Sequence, residues 1–550
     1  MSAKPPADRS AAIAKRLLII GLDGATWDVL GPRMREGRMP RLKAFIEAGV
    51  HGILDSTKPP ITPAAWTTFM TGKHPGRHGI LDFEKFDVFT NQVSFNSTYE
   101  IRERTIWEML SDKGLRVGAI NVPMTYPPRQ VNGFMISGFE TPSTEAEFTY
   151  PRELKADILK AIPDYDYRTN WRRRPGANAT EVLQDNLDYI ANSWEQGVKL
   201  VTLCGERYGW DAMMVVYKLV DNLQHKTWKH IDPRFNSGHP REAEMVYDCF
   251  AKLDVALGKL FDYADEHNAL VMIMSDHGHG SLEGKAQANE LLRKWGYLRL
   301  KNPFTRIATR LQHMTHRLLK GKKTRFEQGA RGVERELAVD WSKTRACVTH
   351  AGIYGFLYLN LRGRGPVGVV EPADYERLRD EIADRLRNAT AVDRNGRSFR
   401  IFPAVHKAEQ LYSCSREERP EMPDLLLEPE PGLAVVRRIR GGSAVRWLSP
   451  DRIEGTHRYE GMYALGGPGV KPGAEIRANI ADLTPTALAA LGVGVPDDLD
   501  GRPLTEAFAR PLQIRHEAAV VSERSATTEV YDDAERRLLE QRLVDLGYLE

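Results

Sequence analysis

The sequence is poor in cysteine and lacks long apolar runs. Its four cysteines are far apart and form no C-x-x-C pair, which argues against a disulfide framework and a thiolate metal site. No apolar run approaches the roughly 18 residues of a membrane span, and the opening stretch "MSAKPPADRSAAIAKR" has no apolar core typical of a secretory signal. We therefore expect a soluble, cytoplasmic protein with four reduced cysteines, Cys204, Cys249, Cys347 and Cys414.

A large excess of charge of either sign is also missing. The chain has 77 Lys+Arg and 74 Asp+Glu, a net charge of +3. This balance argues against nucleic acid or an anionic membrane surface as the partner. Basic residues do cluster in 170–176 and 306–325. We interpret both clusters as solvated insertions, with a rim that steers anions as the alternative.

What the sequence does contain is a regular alternation of amphipathic helices and short apolar strands. Such alternation predicts a parallel α/β sheet covered by helices on both faces. The stretch "KRLLIIGLDG" (15–24), for example, is a continuous apolar run ending in Gly and Asp, as expected of a buried parallel strand. The other segments are a helix at 39–50, a helix and strand at 104–123, a strand at 211–221, a helix at 244–267 and a strand at 269–275.

Several stretches interrupt this alternation inside one core of 15–510. We interpret them as insertions or a lid. They are a polar, mainly helical segment at 141–205, a basic segment at 299–345 and a smaller α+β segment at 346–440, and a helical tail follows at 511–550.

Polar side chains with one kind of chemistry follow the apolar strands. In an open parallel sheet, functional groups gather outside the carboxyl ends of the strands. A single aspartate there is more often a helix cap, and a single loop histidine is more often a surface residue. Three apolar strands that all end in aspartate, two with histidine nearby, favour a shared site. Its candidate members are Asp23, Asp221, His225, Asp276, His277, His279 and, from "GTHRYEG", His457.

These candidates offer carboxylate oxygen and imidazole nitrogen and no thiolate. Zn²⁺ accepts such ligands, as do Mn²⁺ and Fe. Five or six ligands are too many for one tetrahedral ion and suit two ions that share a site. Two neighbouring metals can hold the attacking and leaving oxygens of an in-line displacement at phosphorus.

A nucleophile is offered by "PPITPAAWTTFMTGKHPGRHG" (59–79). Thr62 stands at an expected helix N-terminus, where amide N–H groups and the helix dipole favour an anion. An N-cap threonine is the structural alternative. Spacing alone does not separate Thr62 from Thr67, Thr68 or Thr71.

In their order along the chain, these motifs resemble the alkaline phosphatase superfamily. They are most similar to its type I phosphodiesterase/nucleotide pyrophosphatase branch and the bacterial relatives called predicted phosphohydrolases or phosphomutases. The resemblance spans about 15–504. The motifs that carry it are "GLDG", "TPAAWTTFMTGKHPGRHGI", "DNLQH", "SDHG", "GTHRYEG" and "ADLTPTALAALGVGVPDDLDG".

The resemblance implies a three-layer αβα fold with a mostly parallel central sheet and inserted lid or cap segments. It also implies a Thr62 nucleophile, ten residues before Gly72. Two divalent ions are implied, Zn²⁺ first and Mn²⁺ or Fe as alternatives. One would take Asp221, His225 and His457, and the other Asp23, Thr62, Asp276 and His277. The expected reaction is hydrolysis of a phosphodiester or pyrophosphate in a small molecule.

The resemblance leaves the phosphate-binding group and the substrate open. Candidates for substrate contact or for orienting a ligand are His279, Lys73 and Asn121, with Lys58 and His74 behind them. A phosphomonoesterase or phosphomutase on the same core is the first alternative function, and a non-catalytic scaffold is the second. The oligomeric state stays open.

Overall fold

The computed structural model describes residues 9–88, 92–167, 171–301, 339–439, 441–520 and 530–546. These residues form two compact units. The larger unit contains the described residues within 1–82, 96–281 and 450–549, and the smaller contains those within 83–95 and 282–449. Most of the predicted basic insertion, 302–338, lies outside the described residues.

Twenty-five strands are assigned in the described residues, most of them short. They are β1 Arg16–Leu22, β2 Val50–Asp55, β3 Glu84–Asp87, β4 Gln92–Phe95, β5 Val117–Val122, β6 Gly133–Ser137, β7 Thr149–Tyr150, β8 Ala212–Tyr217, β9 Ala269–Met274, β10 Gly278–Leu282, β11 Gly284–Ala286, β12 Ala346–Ala351, β13 Gly355–Leu359, β14 Thr390–Val392, β15 Ser398–Arg400, β16 Ala404–Lys407, β17 Leu425–Glu428, β18 Leu433–Val435, β19 Val445–Trp447, β20 Glu454–Arg458, β21 Glu460–Gly466, β22 Ala474–Glu475, β23 Ala478–Asn479, β24 Val495–Pro496 and β25 His516–Glu517.

The α-helices of the described residues range from single turns to about eight turns. They are α1 Trp27–Arg35, α2 Pro40–Ala48, α3 Thr62–Thr71, α4 Pro75–His78, α5 Ile106–Asp112, α6 Leu154–Ala161, α7 Ala179–Tyr208, α8 Leu219–Ile231, α9 Pro240–Glu266, α10 Ala288–Lys294, α11 Tyr375–Arg387, α12 Ala408–Tyr412, α13 Leu483–Ala490 and α14 Asp533–Leu546.

A ten-stranded sheet forms the centre of the larger unit. Its order is β22-β2-β21-β9-β1-β8-β5-β6-β7, with β23 also paired to β2. Strand β1 is parallel to both β8 and β9, and β5 is parallel to β8 and β6. Strand β21 runs antiparallel between β2 and β9. The sheet is therefore mostly parallel, which brings the carboxyl ends of β9, β1, β8 and β5 to one edge.

Hydrophobic cores cover both faces of this sheet. Leu18 and Ile20 of β1 belong to a cluster that includes residues of α7 and α9. Leu17 and Ile19 belong to a second cluster that includes residues of α3 and α13. Successive strand residues face opposite sides, so an uninterrupted apolar run is what a strand between two helical layers requires. The predicted three-layer αβα fold with a mostly parallel sheet is confirmed.

One predicted element is wrong in a way that matters for the site. The predicted strand 211–221 ends at Tyr217, and α8 begins at Leu219. Asp221 therefore lies in the first turn of a helix and not at a strand end. The pattern of apolar residues does not show where the strand ends and the helix begins, because the last strand residues and the first helical turn are both buried.

The smaller unit contains a four-stranded antiparallel sheet, β12-β13-β17-β16, and a three-stranded sheet, β18-β11-β19. A buried ion pair joins Arg364 Nη1 to Asp424 Oδ1 at 2.8 Å, and the Tyr375 hydroxyl of α11 donates to the same oxygen at 2.6 Å. A buried charge needs such partners to offset its desolvation.

The boundaries of the predicted insertions and of the C-terminal tail stay predictions. Within 141–205 the structure has α6 and most of α7, and within 511–550 it has β25 and α14. Arg542 of α14 donates hydrogen bonds to the carbonyls of Thr141 and Pro142, at 2.7 and 3.0 Å. No helix among the described residues is long and apolar enough to cross a membrane.

Candidate metal centre and active site

The structure brings all seven predicted Asp and His candidates into one cluster at the carboxyl edge of the sheet. Asp23 follows β1, Asp221 and His225 lie on α8 after β8, and Asp276 and His277 follow β9. His279 lies on β10 and His457 on β20, two short strands that pair with each other. Six of the seven are buried and His225 is nearly so.

Asp221, His225 and His457 form one group of converging ligand atoms. Asp221 Oδ1 lies 3.3 Å from His225 Nε2 and 3.4 Å from His457 Nε2. The four-residue spacing on α8 places Asp221 and His225 on one helix face. Although burial opposes it, the Lys218 ammonium, together with His225 when its ring is protonated, holds the pKa of Asp221 well below its usual range.

The two imidazoles of this group point their Nε2 atoms at each other and their Nδ1 atoms at backbone carbonyls, an orientation that suits metal ligands. His225 Nδ1 donates to the Gly455 carbonyl at 2.8 Å, and His457 Nδ1 donates to the Pro60 carbonyl at 3.0 Å. A carbonyl only accepts, so each Nδ1 carries the proton, and each Nε2 of a neutral ring presents a lone pair. The two Nε2 atoms are 3.0 Å apart. Burial lowers the pKa of His457 well below its usual value, and a cation bound by both Nε2 atoms would remove the repulsion between their lone pairs.

Asp23, Asp276 and His277 form the second group. His277 Nε2 lies 3.3 Å from Asp276 Oδ2 and 3.9 Å from Asp23 Oδ1. His277 Nδ1 donates to the Gly278 carbonyl at 3.1 Å, the same arrangement as in the first group. Asp276 Oδ2 is buried and has no hydrogen-bond partner in the described part of the chain. Buried polar atoms are normally bonded, so this oxygen fits a ligand to a cation.

The two carboxylates of the second group repel each other in a buried setting. Burial and the Asp276 carboxylate raise the pKa of Asp23 to about 7. Burial likewise raises the pKa of Asp276 to about 7, although the Gly24 amide, which donates to Oδ1 at 3.0 Å, opposes it. A divalent ion that binds both oxygens would offset this cost.

His279 lies between the two groups. Its Nδ1 is 3.5 Å from Asp221 Oδ1, and its ring stacks on Trp228 with 5.7 Å between centroids. Neither ring nitrogen has a hydrogen-bond partner among the residues that the structure describes. Asp221, His277 and His279 also have ligand atoms close enough to hold an ion together, so His279 is placed to serve as a further ligand.

Thr62 is the threonine of α3 that meets the cluster. Its Oγ1 lies 3.4 Å from His277 Nε2. It is the first residue of the helix, and Ile61 occupies the N-cap position, so the alternative of an N-cap threonine is wrong. Thr68 Oγ1 instead bonds to His78 Nε2 at 2.9 Å, and Thr71 Oγ1 donates to the Thr67 carbonyl at 2.7 Å.

The substrate-contact candidates lie in different places. The Lys58 ammonium lies 5.4 Å from the centre of the Tyr459 ring. Lys73 lies beyond the other end of α3, about 15 Å from Thr62 by helix rise, and its Nζ pairs with Glu103 Oε2 at 2.7 Å. The His74 amide donates to Asp500 at 2.7 Å. Lys73 and His74 are therefore apart from the cluster.

Asn121 is the penultimate residue of β5, the strand next to β8, and has a φ of 57°. The Tyr165 hydroxyl donates to its Oδ1 at 2.6 Å. Asn121 lines a pocket together with Lys218, and Lys218 contacts the carboxylate cluster.

Sequence reasoning missed Lys218 and the groups that orient the carboxylates. Lys218 Nζ lies 3.2 Å from Asp23 Oδ1 and also pairs with Asp221. Its signal was a lysine three residues before Asp221, directly after an apolar strand. Trp66 Nε1 donates to Asp23 Oδ2 at 2.9 Å. No local pattern predicts this second contact, because the two residues are 43 positions apart.

A comparison with models of protein families identifies the family of this chain. Residues 17–460 match the family described as type I phosphodiesterase / nucleotide pyrophosphatase. The chain belongs to this family. The match extends over all seven candidate ligands and Thr62. Membership in this phosphodiesterase/nucleotide pyrophosphatase family confirms the predicted resemblance and the predicted enzyme class, a phosphoric ester hydrolase.

Solved structures agree in fold. Phosphonoacetate hydrolase from Sinorhizobium meliloti 1021, in complex with phosphonoacetate, is 18% identical with a TM-score of 0.51. The match covers 86% of this chain and 94% of that one. Human ectonucleotide pyrophosphatase / phosphodiesterase 5 is 13% identical with a TM-score of 0.50, over 90% and 100% of the two chains. At these identities the likeness concerns the fold alone. A comparison with curated protein sequences finds no significant match.

Proposed function

We propose that this family member hydrolyses phosphodiester or pyrophosphate bonds, with Thr62 as nucleophile at a site for two divalent cations. One observation carries the proposal. The Thr62 hydroxyl, at the N-terminus of a ten-residue helix, lies 3.4 Å from the imidazole of a buried Asp/His cluster. A helix N-terminus favours a phosphoryl group, so the hydroxyl and the bound phosphorus would meet there.

The chemistry of the donor atoms fits two cations. Asp221, His225 and His457 would hold one, and Asp23, Thr62, Asp276 and His277 the other. The evidence for fit is the unbonded Asp276 Oδ2 and the facing Nε2 atoms of His225 and His457. Imidazole and carboxylate without thiolate suit Zn²⁺ and admit Mn²⁺ or Fe. When bound, such ions stabilise negative charge at phosphorus and make a hydroxyl more acidic.

The protein's own groups would then act as follows. Thr62 Oγ1 attacks phosphorus in line, and its new O–P bond forms as the bond to the leaving oxygen breaks. A water oxygen would then bond to the same phosphorus as the Thr62 O–P bond breaks, and a proton of that water would return to Thr62 Oγ1. Lys218 and the α3 N-terminus contribute fixed positive potential at the same place. The balanced net charge and the four free cysteines support a small-molecule substrate and a cytoplasmic location.

The test compares initial rates on bis(p-nitrophenyl) phosphate and p-nitrophenyl phosphate with Zn²⁺ or Mn²⁺. We expect a diester preference and a loss of about 10³-fold or more in kcat/KM for Thr62→Ala. Thr67→Val is the matched control, because Thr67 lies on the same helix and its hydroxyl has no hydrogen-bond partner among the described residues.

Other outcomes point to the alternatives. A monoester preference would favour a phosphomonoesterase or a phosphomutase on this core. Full activity in Thr62→Ala would remove Thr62 from the mechanism. A purified protein that binds no divalent ion and turns over neither ester would favour the scaffold.

A further inference from the structure

A pocket lies beside the candidate metal centre in the larger unit. Its volume is about 70 Å³. A closed cavity of about 150 Å³ holds a benzene ring, so the enclosed part of this pocket suits a smaller group, of the size of a two- or three-carbon alcohol. A nucleoside would extend beyond this enclosed part.

The pocket shares a wall with the carboxylate cluster. Asn121 lies at the end of β5 and Lys218 directly after β8, and these strands are parallel neighbours in the order β9-β1-β8-β5. Lys218 lines the pocket, and its ammonium lies 3.2 Å from Asp23 Oδ1. A group esterified to a phosphate at the cluster would therefore have the pocket next to it, at the edge where ligands bind open α/β sheets.

The lining combines aromatic rings with fixed hydrogen-bonding groups. Tyr165 holds the Asn121 amide through its 2.6 Å hydrogen bond, and the Tyr189 hydroxyl donates to Asp166 Oδ1 at 2.5 Å. Both tyrosines line the pocket, as does Ser193 of α7. Because the Tyr165 hydroxyl donates to Asn121 Oδ1, the orientation of the Asn121 amide is fixed. Its N–H₂ group has no acceptor among the described residues and can donate to a ligand.

Such a wall recognises hydroxyl groups. The Asp166 carboxylate can accept a hydrogen bond from a hydroxyl group of a ligand, and the Asn121 amide can donate one to a neighbouring hydroxyl. The tyrosine rings can cover the C–H faces of the same ligand. We propose that this pocket binds the alcohol part of the substrate, and that the alcohol is compact and polyhydroxylated. The inference rests on the proposed function, because it places the phosphate of the same molecule at the cluster.

Ligand binding tests the pocket independently of turnover. The full-length protein, loaded with Mn²⁺, is titrated calorimetrically with methyl phosphate, glycerol 1-phosphate and thymidine 5′-monophosphate. The three share a phosphate and differ in the alcohol. We expect glycerol 1-phosphate to bind at least tenfold more tightly than methyl phosphate, and thymidine monophosphate to gain nothing over methyl phosphate.

Two pocket variants and one control locate the preference. Asn121→Ala and Tyr165→Phe should bring the glycerol-to-methyl affinity ratio towards one. Tyr263→Phe should keep the ratio, because Tyr263 contacts Trp210 and does not line the pocket. Equal affinities for glycerol and methyl phosphate, a preference for the nucleotide, or binding of none of the three would overturn the proposal.

The same titrations separate this proposal from the proposed function. A glycerol preference in a protein that hydrolyses no diester would leave the pocket in place and contradict the enzymatic mechanism. Hydrolysis by Thr62 without a glycerol preference would keep the mechanism and remove the pocket.

Discussion

Replacing Asp276 by Asn should stabilise the metal-depleted protein at alkaline pH. Asp276 is buried, and its pKa is raised from 3.8 to about 7. Between these values the unfolded chain has lost the proton that the folded chain keeps, so the free energy of unfolding falls as the pH rises. A difference of about three pKa units corresponds to about 4 kcal/mol at pH 8, at 1.36 kcal/mol per unit.

Asparagine removes that cost and keeps the local hydrogen bonds. Its carbonyl oxygen can still accept from the Gly24 amide, which bonds to Asp276 Oδ1 at 3.0 Å. Its N–H₂ group would occupy the position of Oδ2, 3.3 Å from His277 Nε2, and can donate to it. Because Asp23 titrates in the same range, the two carboxylates act as a pair and 4 kcal/mol is an upper value.

The assay is thermal unfolding in EDTA at pH 5 and pH 8, with and without added Zn²⁺. At pH 8 in EDTA the variant should melt higher by up to roughly 5 °C for a unit of this size, and at pH 5 the gain should be much smaller. With Zn²⁺ at about 100 times its Kd the wild type should gain about 2.7 kcal/mol and the variant much less.

The control and the refutation are equally specific. Asp232 is paired with Arg234. Although burial opposes it, the hydrogen bonds and the charge of Arg234 lower the pKa of Asp232. Asp232→Asn should therefore lower stability at pH 8. If Asp276→Asn were no more stable than the wild type in EDTA at pH 8, or if its gain were equal at both pH values, the electrostatic account of the second ligand group would be wrong.

Two further predictions concern the framework of the site. Gly24→Ala should reduce the metal content measured by elemental analysis, because the φ of Gly24 is +67° and a Cβ there would lie 2.9 Å from Asp221 Oδ1. The control is Gly37→Ala. The φ of Gly37 is +76° and the space around it is open, so this variant carries backbone strain alone. His457→Ala should lower the bound metal from two ions towards one and reduce activity at least 100-fold, whereas His239→Ala should change neither, and unaltered stoichiometry in His457→Ala would exclude His457 as a ligand.

The parts of the fold that the sequence predicted are those with strong local signals. The run at Leu17–Leu22 is apolar at every position, and it forms the strand between both helical layers. The pairing of β21 could not be predicted, because period and composition do not say which strands will be its neighbours. The boundary between β8 and α8 was misplaced for a related reason, since Leu219 and Val220 are as buried as the strand.

The candidate site was predictable in its members and less so in its surroundings. Asp23 and Asp276 follow apolar runs and stand out as carboxylates in buried contexts. Lys218 also follows such a run, but a single lysine there suggests a solvated side chain. The pocket wall at Tyr165 and Asn121 joins residues 44 positions apart, and only the tertiary fold brings them together.

The late arrival of His457 has a consequence for how the protein is made. The chain leaves the central sheet at Met274 and returns to it only with β21, the strand between β2 and β9, directly after β20, which supplies His457. A nascent chain that ends before Glu454 therefore has six of the seven Asp and His candidates but an unbridged sheet. The pairing of β9 with β21 joins residues that are far apart in the sequence, and such pairings form slowly, so stable ion uptake would come late. Metal retention would then mark a finished chain, and prematurely terminated chains would be left as substrates for proteolysis.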